Sequence, residues 1–456
     1  MTDPLRELLG IAGLQPADMP AIAGDDPVLP TPYRIGAAAT AALAALGAAA
    51  VRFGELRGLP PQKVSVDLRA AALSLRSARY LRIDGKPLPP VWDPLSGFYP
   101  VRDGWISIHC NFPNHREAAM KVLQSPPDRK EAERKSATWD GQALEDAIHA
   151  AAGCAGFVRT AEEWQRHPQA KAVAEQPLID IQRIGDAPPQ KPAAAKRPLA
   201  GIRALDLTRV LAGPTCGKCL AEHGAEVLKI SAEHLPDSGL VEMDTGIGKR
   251  SARLDLRTQG EKLEQLVKGA DVFCQSYRPG ALAARGFSPE RLADLRPGIV
   301  CTSLSAWGTT GPWRTRRGFD SIVQAVSGMA HKSGDASGNN AGPKLLPVSA
   351  IDYISGYLMA FGTAVALERR AREGGSWLVR VALARVGKWI VDRGLVPFDG
   401  VPADVPETEL ARYCAEMDAP VGRLTYLKPV IQFSHTPGAW AQPPVPLGTH
   451  EARWEQ

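Results

Sequence analysis

The stretch from Gly201 to Ile230, GIRALDLTRVLAGPTCGKCLAEHGAEVLKI, decides how the chain is built. An apolar run, IRALDLTRVLA, passes through Gly213-Pro214 into a helix-like segment and returns to a second apolar run, AEVLKI, which spells strand, turn, helix, strand. Downstream, SARLDL and EKLEQLVKGA add a strand and a helix, and DVFCQS and IVCTSLS add two strands. Strands that alternate with helices and are apolar on both faces predict a parallel, doubly wound sheet covered on each side. Upstream, Ile184 to Pro198 (IGDAPPQKPAAAKRP) has the Pro, Ala and Lys content of a linker and no apolar periodicity, so a domain boundary is expected there.

The bulk composition narrows the function classes. A chain of 456 residues, 44% hydrophobic and 23% charged, suits a globular protein of two or three domains. The net charge of +5 is dispersed, with no basic run interleaved with aromatics, so no nucleic-acid partner is expected. Seven scattered cysteines and no apolar export segment in residues 1–21 predict a reduced, cytoplasmic protein. The most apolar stretch, Ile35 to Val51, is shorter than a membrane span and reads as a buried helix. Cys216 and Cys219 form a lone C-x-x-C inside a helix, with no second ligand pair at zinc spacing, so no metal is expected. There is no G-x-G-x-x-G and no Walker loop.

An internal repeat organises the rest. Asp352 to Leu383 aligns without gaps on Ala37 to Leu68, with Gly362 on Gly47, Val379 on Val64, Val381 on Val66 and Leu383 on Leu68. Each copy predicts a long small-residue helix followed by an alternating strand. The copies differ at the helix start, where the second has Asp352 and the first Ala37. Taken alone, Asp352 reads as a helix cap.

Six segments in order resemble the class III CoA-transferases: LDLTRVLAGP (205–214), HGAEVLKI (223–230), GKRSARLDL (248–256), ADVFCQSYRPGAL (270–282), GIVCTSLSAWGTTGPWRTRRGFDSI (298–322) and AIDYISG (350–356). GFYPVRDGWISIHC (97–110), RTAEEWQRHPQ (159–169) and PLIDIQRIGDAPP (177–189) are similar to the family's small domain. The resemblance implies an α/β fold, a doubly wound parallel Rossmann-like sheet of CoA-transferase type with a smaller α+β domain. It implies three parts: 1–196 as a partial repeat without nucleophile, 197–390 as the CoA-binding and catalytic part, and 391–456 as a C-terminal segment. A truncated copy followed by a copy without most of its small domain suggests that one unit is assembled from both.

By position in these motifs, Asp352 is the expected nucleophile, forming an aspartyl anhydride and then an aspartyl-CoA thioester as CoA moves from an acyl-CoA to a carboxylic acid. Val210, Leu211 and Ala212 would line the adenine and ribose of coenzyme A, with Leu254, Ser276, Tyr277 and Ala281 nearby, and Arg317 and Arg278 would meet phosphates. Lys249 and Arg250 are lesser phosphate candidates. A homodimer is implied, and no membrane partner. Some expected family features are absent: Ser231, Ala232 and Ala284 stand where an acid and arginines occur, and the glycine-rich loop of formyl-CoA transferase has no counterpart. The related racemases carry a histidine where this chain has Phe319, which cannot titrate, so transfer is expected over racemisation or isomerisation. The remaining alternative is a catalytically silent acyl-CoA-binding protein.

Overall fold

The computed structural model describes residues 3–15, 19–89, 92–236, 239–338 and 342–455. Each apolar run read as a strand forms one. Six of them, joined by Asp180–Gly185, assemble a seven-stranded sheet in the spatial order Lys249–Arg253, Glu226–Ser231, Arg203–Leu207, Val272–Gln275, Val300–Ser305, Ser376–Ala382, Asp180–Gly185. The first six are parallel, and the last is an antiparallel edge strand. Counted along the chain from Arg203–Leu207, the parallel strands lie in the order 3-2-1-4-5-6, so the winding reverses between Arg203–Leu207 and Val272–Gln275.

Side-chain alternation explains the two-sided cover. Leu205 and Leu207 pack with Leu263, Leu266 and Val267 of helix Gly260–Lys268. Ala204, one residue out of phase, joins the core on the opposite face with Leu220 of helix Ala212–Glu222 and with the long helix Ala350–Glu373.

The repeat holds in three dimensions. Helices Ile35–Glu55 and Ala350–Glu373 start from cap residues of matching conformation, Arg34 (φ −78, ψ 59) and Ser349 (φ −88, ψ 60). A Cβ on Gly47 would stand 2.6 Å from Val64 Cγ1, and one on Gly362 2.6 Å from Val379 Cγ1, so each helix crosses its own strand at an equivalent glycine. Val64–Asp67 lies between parallel Ala21–Ala23 and antiparallel Ile431–Phe433. Ser376–Ala382 lies in the same way between parallel Val300–Ser305 and antiparallel Asp180–Gly185. Both long helices are apolar and long enough to cross a membrane by length and composition, and both are buried within the protein.

A satellite sheet, Gly97–Val101, Gly104–Ile108 and Ala155–Phe157, carries helices Pro113–Leu123, Arg129–Ser136 and Gly141–Ala150 around its own small core, an α+β unit. Ile184 and Gly185, at the start of the linker-like stretch, belong to the edge strand. Beyond them the chain is fastened by Arg57, whose guanidinium donates to the carbonyls of Ala193, Pro198 and Ala200.

Candidate active site

The loop that leaves Arg203–Leu207 sits at the point where the winding reverses, where open sheets of this kind leave a crevice. Asp206 anchors it from below: its buried carboxylate pairs with Lys249 Nζ at 2.7 Å and accepts the Thr208 N–H at 2.9 Å. Lys249 also donates to the Pro214 carbonyl (2.6 Å), which ties both ends of the loop to one ammonium. Between these anchors Val210 is held at φ 69. A β-branched residue in the left-handed region costs about 1–3 kcal/mol and persists only where its surroundings fix it. Across the crevice, Ser276 Oγ accepts the Arg209 N–H at 2.9 Å.

Asp352 stands over this loop on the first turn of Ala350–Glu373. Gly356, one turn on, sets the spacing: a Cβ there would come within 2.5 Å of the Ala212 carbonyl oxygen and 2.6 Å of Thr215 Cβ. The helix can therefore approach the loop closely only with glycine at this position. The helix start is capped by Asp320, which accepts the N–H of Asp352 at 3.1 Å, that of Ile351, and a Gln324 side-chain N–H. In the first repeat Asp26 does the same for Gly36 (3.0 Å) and Ala37 (2.8 Å). The first copy thus retains the cap and lacks the second carboxylate.

Two carboxyl groups share one turn with little water. Burial pushes Asp320 up to about 6, against the pull of its N–H donors. Asp352 is raised well above the ordinary carboxylate range, first by burial and then by the charge of Asp320.

Two cavities meet at Asp352. The first, about 680 Å³, is bounded by Val210, Leu211, Ala212, Ser276, Tyr277, Arg278, Ala281 and Arg317, all expected from the sequence. Arg209, Arg314 and Arg316 also line it, and Arg317 lies near Arg278, its guanidinium pKa lowered by burial and then by that like charge. Three expectations fall elsewhere. Leu254 is in the core and bounds a neighbouring cavity of about 180 Å³, because its strand lies two places from the crevice. Lys249 is the loop clamp described above, and Arg250 pairs with Glu226 and Glu455.

The second cavity, about 640 Å³, also reaches Val210, Leu211 and Asp352. Much of its wall comes from the first half of the chain, including Arg76, Trp92, His109 and Phe112. Phe112 and His115 extend this contribution into the first cavity. The His109 ring lies face to face on Phe319, centroids 3.8 Å apart and planes 4° from parallel. Burial, then the proximity of His115, lowers His109 to about 3; burial, then Arg317 and Arg209, lowers His115 to about 4. Both histidines are therefore neutral at ordinary pH. Their signal in the sequence was only a strand running into His109-Cys110, with nothing to say what it faces.

The chain matches known proteins over this same region. The family description "CoA-transferase family III" matches residues 199–407. An acyl-CoA transferase of Gibberella moniliformis is 28% identical over 399 residues, 78% of this chain and 70% of the relative. The acetyl-coenzyme A transferase nodX of Hypoxylon pulicicidum is 34% identical over 209 residues, 44% of this chain and 35% of the relative. A crystal structure of a CaiB/BaiF family protein from Brucella suis is 27% identical, with a TM-score of 0.39, covering 44% of this chain and 56% of that one. The chain spans from about a third to about two thirds of the length of the first curated relatives it matches. Residues 199–407, which hold the loop, the arginines and Asp352, are the part of the chain that matches CoA-transferase family III.

Proposed function

We propose that this chain is an acyl-CoA transferase that moves CoA from a thioester to a carboxylic acid, with Asp352 as the covalent nucleophile. The observation that carries the reading is the position of Asp352, where a basic cavity and a second one with an aromatic and aliphatic part meet. The first suits the anionic nucleotide of coenzyme A, with Val210, Leu211 and Ala212 along it and Arg278 and Arg317 toward its phosphates; the second suits the acyl group and the acceptor.

In the reaction, an Asp352 oxygen attacks the thioester carbonyl and the C–S bond breaks, giving a mixed anhydride and CoA thiolate. The thiolate attacks the aspartyl carbonyl, releasing the first acid and leaving an aspartyl-CoA thioester. The acceptor carboxylate attacks that thioester and expels the thiolate. The thiolate then takes the new acyl group, and the Asp352 carboxylate is restored. No oxidant, metal or water is consumed.

Intact-protein mass spectrometry with a panel of acyl-CoAs tests this. An adduct of acyl or CoA mass on the wild type that is absent from Asp352→Ala is the expected result. CoA binding without any adduct would instead identify a silent binding protein. One observation favours a second reading, proton exchange at the α-carbon: His109 brings a titratable ring against Phe319. Deuterium incorporation at that carbon in D2O, without CoA transfer, would establish it. We further propose a homodimer in the cytoplasm, where the free thiols, buried at six of seven cysteines, stay reduced; light scattering of the purified chain tests the dimer.

A further inference from the structure

We infer that the second cavity selects an acid bearing a second carboxylate, and that Arg76 and Arg79 hold that group; the inference rests on the transferase reading. Arg76 lies between helices Leu68–Ser74 and Ser77–Tyr80 and is 6% exposed. The neighbouring Leu75 carbonyl accepts the Ser349 N–H at 3.2 Å, which fixes this corner to the cap of the nucleophile's helix.

The guanidinium is only partly satisfied. Its Nη2 reaches Asp404 at 3.2 Å and its Nη1 the Ala403 carbonyl at 3.2 Å, while Nε is buried without a hydrogen-bond partner. Asp404 is itself shared with the Tyr80 hydroxyl (2.7 Å) and the Val405 N–H (2.9 Å). Arg79 bounds the same cavity from an exposed position, and its charge acts on Arg76. Asp404 thus answers Arg76 alone, while the like charge of Arg79 adds to it, which leaves a positive corner with an unused N–H donor.

An apolar part of the wall defines the body of the ligand. Trp92, Phe112, Phe319, Leu346 and Val348 form it with the neutral His109 ring, while the polar groups Asn111, Asp320, Ser321 and Gln324 also reach the cavity. A ligand that satisfies the cavity places one carboxyl at Asp352, an apolar segment along these side chains, and an anionic group at the arginines. A simple alkyl acid would leave the buried cation facing hydrocarbon. The phosphates of CoA have their own cations across Asp352, at Arg278 and Arg317. In the transfer, only the carboxylate at Asp352 attacks the aspartyl-CoA carbonyl and expels the thiolate; the second carboxylate keeps its charge throughout.

The test uses the purified full chain with succinyl-CoA and butyryl-CoA as donors and length-matched acceptors: succinate and butyrate, glutarate and valerate, adipate and hexanoate, and monomethyl glutarate. A diacid preferred at least tenfold in kcat/KM over its matched monoacid and over the half-ester is the expected result. Arg79→Ala, at an exposed position, and Arg76→Lys are each expected to narrow that ratio tenfold or more, through KM. If Arg76→Lys does not fold, the half-ester and Arg79→Ala still decide. Equal use of mono- and diacids, or a ratio unmoved by Arg79→Ala, overturns the inference. An Asp352 adduct with no transfer to any of these acids also overturns it, whereas absence of any adduct removes the transferase reading and this inference with it.

Discussion

In the proposed mechanism Asp352 attacks a thioester as the carboxylate, and its surroundings oppose ionisation. Burial comes first and the neighbouring Asp320 charge second, so the pair gives up its protons at higher pH than free carboxylates. The acid limb of kcat/KM should therefore lie well above the usual ~4. His109 and His115 cannot supply it, being neutral down to about 3 and about 4. The same shift has a stability consequence of defined sign. A carboxyl whose folded pKa is raised stabilises the protein below its unfolded pKa of ~4, and that contribution is lost as pH rises through the folded value. Asp352→Asn should abolish transfer and raise Tm at pH 8, on the order of 2 °C, with the gain shrinking toward pH 5. A limb near pH 4, or a Tm that falls at pH 8, would contradict this account. Asp352 itself was marked out in the sequence by a short local motif, whereas Asp320 shows no sign in sequence of facing it, since thirty-one intervening residues must fold first.

At the scale of elements, the site depends on how closely one helix lies on one loop. Asp352 and Gly356 are four residues apart and share a helix face, so the glycine that meets the Ala212 carbonyl also sets the height of the carboxylate. Gly356→Ala introduces a Cβ against backbone, which has no rotamer by which to yield. The expected cost is about 1–3 kcal/mol in chemical denaturation, with a more than tenfold loss of kcat/KM as Asp352 lifts away. A stability loss with an unchanged rate would mean that this spacing does not tune the chemistry. The strand-turn-helix units were readable because long apolar runs and a single Gly-Pro turn carry them. Short strands with polar content were not: Asp180–Gly185 and Ile431–Phe433 exist because a partner strand awaits them. Leu254 lines a side cavity with Tyr277 and Ala281 and not the main one, a distinction set by the spatial order of strands, which sequence does not give.

For the molecule as a whole, the two repeats behave as parts of one unit. The edge strand of the main sheet comes from before the linker, and Ile431–Phe433 returns from the C-terminal segment to the first repeat's sheet. Beside Asp352 the halves share a buried polar network: Asp244 accepts from Lys218 Nζ (2.7 Å) and Ser77 Oγ (2.5 Å), and Tyr353 joins both Ser77 (3.0 Å) and Asp244 (3.2 Å). If the halves separate, Asp244 and Tyr353 lose Ser77 as a partner, while the Lys218–Asp244 pair, drawn from the second half alone, is opened to water. The apolar faces of Ile35–Glu55 and Ala350–Glu373 add a hydrophobic contact of core character. The connection between the halves is therefore dispensable once they have folded. Lys196 is exposed in the linker and offers trypsin a bond to cut before Arg197. Limited proteolysis there should yield two fragments on denaturing gels that co-elute as one species in native chromatography and retain CoA transfer. Fragments that separate on nicking would show that the two repeats are independent domains joined by a tether.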